Sequence, residues 1–229
     1  MTESKTYICD SNINNIVSYD MDRSGIIYRP YHADEIEIGW RDIAYIEDRP
    51  HNRVVISLNN STEVPIHYTT NDFPEFLEAI CLKLSEIRQD NFRPQKFILN
   101  FRYLCQLGVV ILLLLLSLIV SLAVSKILFI LFFILIVPLV IFFQHTPVSL
   151  ALENDQLVLL YLFKETSVNY NEISAINFAV VSNDYGRTLH LEIHIKNQNR
   201  LAIKKFGDMI ILFIMLQIKL NEKKIIKVD

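Results

Sequence analysis

Between Leu104 and Phe143 the sequence carries one formal charge, Lys126, set between two long apolar runs. Leu104 to Val124 is 21 uncharged residues, roughly 31 Å as an α-helix and close to the hydrocarbon thickness of a bilayer. Ile127 to Phe143 is 17 residues, near the lower limit for a span. A helix on the core of a globular domain shows a polar stripe, and neither run has one. The expectation is a two-helix transmembrane hairpin over 104–145, with spans at 104–124 and 127–143. Gly108, Ser117 and Ser121 are small enough to let the spans pack closely, and Pro138 favours a kink.

The basic residues orient this hairpin. Arg88, Arg93, Lys96 and Arg102 crowd the approach to the first run, through a linker over 91–103, whereas the turn between runs offers only Ser125 and Lys126. An excess of Lys and Arg marks the cytoplasmic side. A hairpin returns the chain to the side it left, so both termini are expected in the cytoplasm of a bacterium, with the hairpin in its inner membrane. Met1 to Asp10 lacks the basic-then-apolar pattern of a signal peptide. Cys9, Cys81 and Cys105 are odd in number and widely spaced, which reads as reduced thiols without a disulfide framework. A net charge of −3 argues against a nucleic-acid partner, which needs a concentrated basic face.

The two flanks, 1–90 and 146–229, read as copies of one module. In the first, short β-like runs at Ile16–Tyr19, Ile26–Tyr31, Glu35–Ile38, Ala44–Asp48, Val54–Leu58 and Val64–His67 precede a helix. Asn71 and Asp72 before Pro74 are the N-cap and first-turn chemistry of that helix. Phe73, Phe76, Leu77, Ile80, Leu84 and Ile87 form its apolar stripe, against Glu75, Glu78, Lys83 and Glu86. The second flank repeats the order at an offset of 130 residues, ending in a helix from about Asp208 to Leu220. At that offset Tyr31 meets Tyr161, Glu35 meets Glu165, Ile43 meets Ile173 and Ile46 meets Ile176, while Trp40 meets Tyr170 and Asp42 meets Glu172.

Strands closed by one helix, with an aromatic-x-acidic-Ile step in mid-module (Trp40-Arg41-Asp42-Ile43 and Tyr170-Asn171-Glu172-Ile173), resemble the pleckstrin-homology-like (PH-like) domains of bacterial membrane proteins. The resemblance implies an α+β membrane protein with two PH-like β-sandwich modules around the hairpin. About six strands are countable per module where that fold has seven. Tyr7 to Cys9 would supply the missing strand in the first, and the stretch around Val180 in the second. Phosphoinositide-binding members hold phosphate with basic residues in the first hairpin loop. Here Asp20 to Gly25 has one arginine against two aspartates, and Glu153 to Gln156 is acidic, so phosphate is repelled.

The remaining candidate sites have bland alternatives. Arg88, Arg93, Lys96 and Arg102 are either an anionic-lipid contact or topology determinants that merely touch headgroups. His190 and His194 flank Glu192 on one strand face, but about 13 Å of strand rise separates them, too far for one metal ion. No Gly-rich phosphate loop, nucleophile elbow or metal-ligand spacing appears, so the chain reads as non-enzymatic, without cofactor or small-molecule substrate. The last helix is apolar around nearly its whole circumference, through Met209, Ile210, Ile211, Phe213, Ile214 and Leu216. Either it is a protein-interaction helix, or it is enclosed between the two modules.

Three functions are consistent with these residues. The first is a membrane-anchored adaptor or scaffold that assembles other membrane-complex proteins, or itself, at the cytoplasmic face. The second is an anionic-lipid-sensing module whose partner is membrane lipid. The third is an accessory subunit of a channel or transporter complex.

Overall fold

The computed structural model describes residues 5–11, 15–49, 53–87, 96–98, 147–161, 163–183, 186–196, 200–204, 206 and 208–226, with scattered positions between 105 and 137. Fourteen strands among these residues form four antiparallel sheets. Strands β1 (Lys5–Ser11), β2 (Asn15–Met21), β3 (Gly25–Arg29) and β4 (Ile36–Gly39) pair in sequence order. Strands β5 (Ile43–Arg49), β6 (Arg53–Leu58) and β7 (Glu63–His67) make a second sheet, and helix α1 (Phe73–Ile87) follows. The order then recurs. Strands β8 (Lys96–Ile98), β9 (Ser149–Leu152), β10 (Gln156–Leu160) and β11 (Glu165–Asn169) form a four-stranded sheet. Strands β12 (Ile173–Asn183), β13 (Gly186–Ile195) and β14 (Leu201–Ile203) form a three-stranded one, and helix α2 (Met209–Ile226) follows.

The repeat extends to local irregularities. The register slips between Ile43 and Tyr45 where β5 meets β6, and between Ile173 and Ala175 where β12 meets β13. Both bulges follow the aromatic-x-acidic-Ile step, whose Trp40 and Tyr170 are buried. Each helix is preceded by an aspartate with positive φ, Asp72 at 49° and Asp208 at 56°. Their carbonyls accept the first intrahelical bonds, from the Phe76 and Leu212 amides, both at 2.9 Å. Asn71 does other work. Its side chain accepts the Ile8 N–H at 2.5 Å, and its own N–H donates to the Ile8 carbonyl at 2.8 Å.

The membrane-protein fold class, the inner-membrane location and the two-span hairpin require correction. Among the described residues no helix is long and apolar enough to cross a membrane, and antiparallel sheet dominates the fold. Helix α1 is 15 residues long and carries Glu75, Glu78, Lys83 and Glu86. In α2 the uncharged stretch is Met209 to Ile218, about 15 Å of helix and half a hydrocarbon core, before Lys219, Glu222, Lys223 and Lys224. Of 104–124 and 127–143, only 105, 108–109, 111–113, 115–116, 118–119 and 137 are described.

The chain divides into two compact units. The first combines 1–92 with 173–204 and 208–229, so both helices and both three-stranded sheets belong to it. Its core around α1 is aromatic. Phe76 stacks on Tyr7 with ring centroids 4.2 Å apart and meets Tyr19 at 5.3 Å, while Phe73 meets Tyr68 at 4.8 Å. The Tyr19 hydroxyl donates to the Pro65 carbonyl at 2.7 Å and so ties β2 to β7. The second unit, 93–172 with 205–207, holds the sheet β8 to β11. There Tyr170 closes the β9–β10 turn, with its hydroxyl on the Glu153 carbonyl at 3.0 Å and its N–H on the Asp155 carbonyl at 3.1 Å.

The seventh strand of the second repeat is β8, not the stretch around Val180, which lies within β12. Ile98 pairs with Ser149, 51 positions later in the chain.

Candidate functional site

Within the first unit the two repeats meet through their helices. Helix α1 packs on α2 and on β12, and α2 packs in turn on β5, the repeat counterpart of β12. Each helix thus reaches the other repeat's first strand of the three-stranded sheet. Those strands are sheet edges, which present unpaired backbone groups unless covered. Glu78 of α1 covers one such group, accepting the Phe178 N–H of β12 at 2.6 Å. Burial pushes the half-buried Glu78 carboxyl above its ordinary range, the Phe178 bond opposing that rise and Glu75 adding to it. The Phe178 ring stacks on Phe213 of α2, with centroids 4.5 Å apart and planes 19° from parallel. A second tie runs from Arg187 of β13, which donates to the Tyr68 carbonyl at 3.0 Å.

Other edges in this unit are blunted by local chemistry. Pro65 sits in edge strand β7 and has no N–H to offer. Along β1, Asn71 satisfies Ile8, and Cys9 bridges to Thr70. The first hairpin loop is held by its own acid. Asp22 accepts the Ser24 N–H at 2.7 Å, the Ser24 hydroxyl at 2.6 Å and the Gly25 N–H at 3.1 Å. These bonds, the Ser24 hydroxyl first, hold the Asp22 carboxyl below its ordinary range. Asp20 pairs with Arg29, which also reaches Glu35 at 3.1 Å.

The residues singled out in the sequence fall in several places. Of the interaction-helix set, Met209, Ile210, Phe213, Ile214 and Leu216 are buried and Ile211 is half-buried. They lie in the helix that packs on α1, β5 and β13, so its apolar circumference is consumed inside the unit. Lys96 opens β8. Arg88, Arg93 and Arg102 lie outside the described residues, as do Ser117, Ser121 and Pro138. Gly108 is helical, and a Cβ placed on it would meet nothing within 4 Å. On β13, His190 contacts the Thr188 hydroxyl at 3.2 Å and Glu192 accepts from Arg200 at 2.8 Å. Among the described residues no group of three acidic, His or Cys side chains is placed to hold a metal ion.

The structure adds large apolar side chains that sequence patterning passed over. In the first unit Ile8, Tyr31 and Tyr45 are each close to half exposed, and Leu82 and Ile87 of α1 and Val181 of β12 are slightly less so. Tyr45 sits on the bulged start of β5, where the slip in register turns it outward between buried Ile43 and Ile46. In the sequence it is one aromatic in an apolar strand, with no sign of which face it takes.

Compared with known proteins, the sequence matches no family model and no curated sequence.

Proposed function

We propose that this chain is a non-enzymatic adaptor, built from two PH-like repeats, that brings proteins together. The observation that carries the reading is the use of both helices to fasten the first repeat to the three-stranded sheet and helix of the second within one unit. Helix α1 lies on β12 and α2 on β5, so the apolar side of each helix is used inside the unit. Four antiparallel strands, three more and a helix, twice in order, support the PH-like assignment. Support for a non-enzymatic role comes from three carboxylates that are committed to structural bonds. Asp22 is spent on a turn, Glu78 on a strand edge, and Glu63 on Arg49 at 2.7 Å. Exposed Tyr45, Tyr31 and Ile8 are the contacts this reading assigns to a protein partner, since aromatic side chains dominate binding energy at interfaces.

Purification of the tagged full-length chain from its native source, as wild type and as Tyr45→Asp, tests the proposal. The expected result is a defined set of co-purifying proteins that Tyr45→Asp loses while its unfolding temperature is unchanged. An identical set recovered by a folded Tyr45→Asp variant overturns it.

A further inference from the structure

The four-stranded sheet of the second unit has two dissimilar ends. At one end the register runs Ile98, Ser149, Leu160, Glu165 across β8, β9, β10 and β11. The β10–β11 turn projects from that end, closed by a bond from the Tyr161 N–H to the Lys164 carbonyl at 2.8 Å. Phe163 in this turn is 66% exposed, the highest value among the large apolar side chains described. The Lys164 ammonium lies 4.9 Å from the centre of the Tyr161 ring. At the other end the β9–β10 turn is polar, with Glu153, Asn154 and Asp155 all exposed.

We infer that the end of this sheet bearing Tyr161, Phe163 and Lys164 is a lipid-contact face that lies against a phospholipid surface. An exposed phenylalanine beside a tyrosine and a lysine is matched to such a surface. The apolar ring enters the acyl boundary, while the amphipathic ring and the ammonium stay at headgroup level. Ile98 and Ser149, paired at this same end, bound in sequence the stretch from Leu104 to Phe143, which carries one charge. The acidic turn lies about 14 Å away by strand rise and is unsuited to anionic headgroups. This face is a peripheral contact made by a turn of the second unit.

Tryptophan placed at each end of the sheet tests this in the full-length protein. Trp40 is the sole tryptophan, and its buried indole N–H has no hydrogen-bond partner, so Trp40→Phe gives a dark background without breaking a hydrogen bond. Phe163→Trp and Asn154→Trp are then compared on phosphatidylcholine vesicles, with and without phosphatidylglycerol, and with or without bromine on the acyl chains. The expected result is a blue shift and bromine quenching for Phe163→Trp, with neither for Asn154→Trp. Lys164→Gln should weaken sedimentation with the phosphatidylglycerol vesicles about fivefold. The inference is overturned if Phe163→Trp is unquenched or if both positions are quenched alike. A blue shift without bromine quenching also overturns it, because that identifies a protein on this face.

Discussion

The carboxylate of Glu78 accepts the backbone N–H of Phe178 at 2.6 Å, joining residues 100 positions apart in the chain and on different repeats. The bond closes an exposed strand edge with a helix side chain. It also sets a helix carboxylate in a half-buried position, where burial raises its proton affinity. Folded protein therefore binds the Glu78 proton more tightly than unfolded protein does. The resulting stabilisation is complete below the ordinary carboxylate range and fades as pH rises through the elevated folded value. Glu78→Gln keeps the acceptor and removes the charge, so at neutral pH it is expected to be at least as stable as wild type, the difference closing in acid. Glu78→Ala strands the amide and is expected to cost ~1–3 kcal/mol. Urea unfolding at several pH values separates the two.

Asp22 has the opposite sign. Its carboxyl is held below the ordinary range by the Ser24 and Gly25 donors, so its stabilisation is present above that range and disappears as pH falls through the lowered folded value. Asp22→Ala is expected to lower the unfolding midpoint near neutrality and to match wild type in strong acid. A gap that persists in acid would assign the effect to something other than the ionised turn.

Gly25 faces Gly39 across β3 and β4, and a Cβ at Gly25 would stand 2.0 Å from the Ile38 carbonyl oxygen. That oxygen belongs to the paired backbone and cannot swing aside. Gly25→Ala is expected to cost at least ~2 kcal/mol and to loosen the β3–β4 pairing. Thermal unfolding with amide exchange in Ile36–Gly39 checks both.

Much of the strand order was legible because its signals are local. Glu35–Ile38 and Leu189–Ile195 alternate, and Ile36–Ile38 of the first falls in β4 while the second lies within β13. Strand β8 was illegible: three residues carry no period, and the partner strand begins 51 residues after Ile98. The transmembrane reading of 104–124 and 127–143 rested on length and apolarity alone. Hydropathy states that a segment must be buried; it does not state which helix forms or what buries it. Helix α2 makes the same point, since its apolar circumference left both an enclosed helix and an interaction surface open, and its contacts with α1 and β5 could not be read from the sequence. Sequence gave no hint of Glu78 as an edge cover, because its spacing fits the wet face of an amphipathic helix.

Residue-resolved hydrogen exchange of the full chain, as wild type and as Phe213→Ala, tests the joining of the repeats most directly. Phe213 is 1% exposed and stacked on Phe178, so its truncation is expected to cost ~3–5 kcal/mol. If the first repeat and β12–β14 with α2 form one cooperative unit, exchange accelerates in α1 from Leu77 to Leu84 as much as in β12 and α2. Acceleration confined to β12–β14 and α2, with α1 protected as in wild type, would contradict the account.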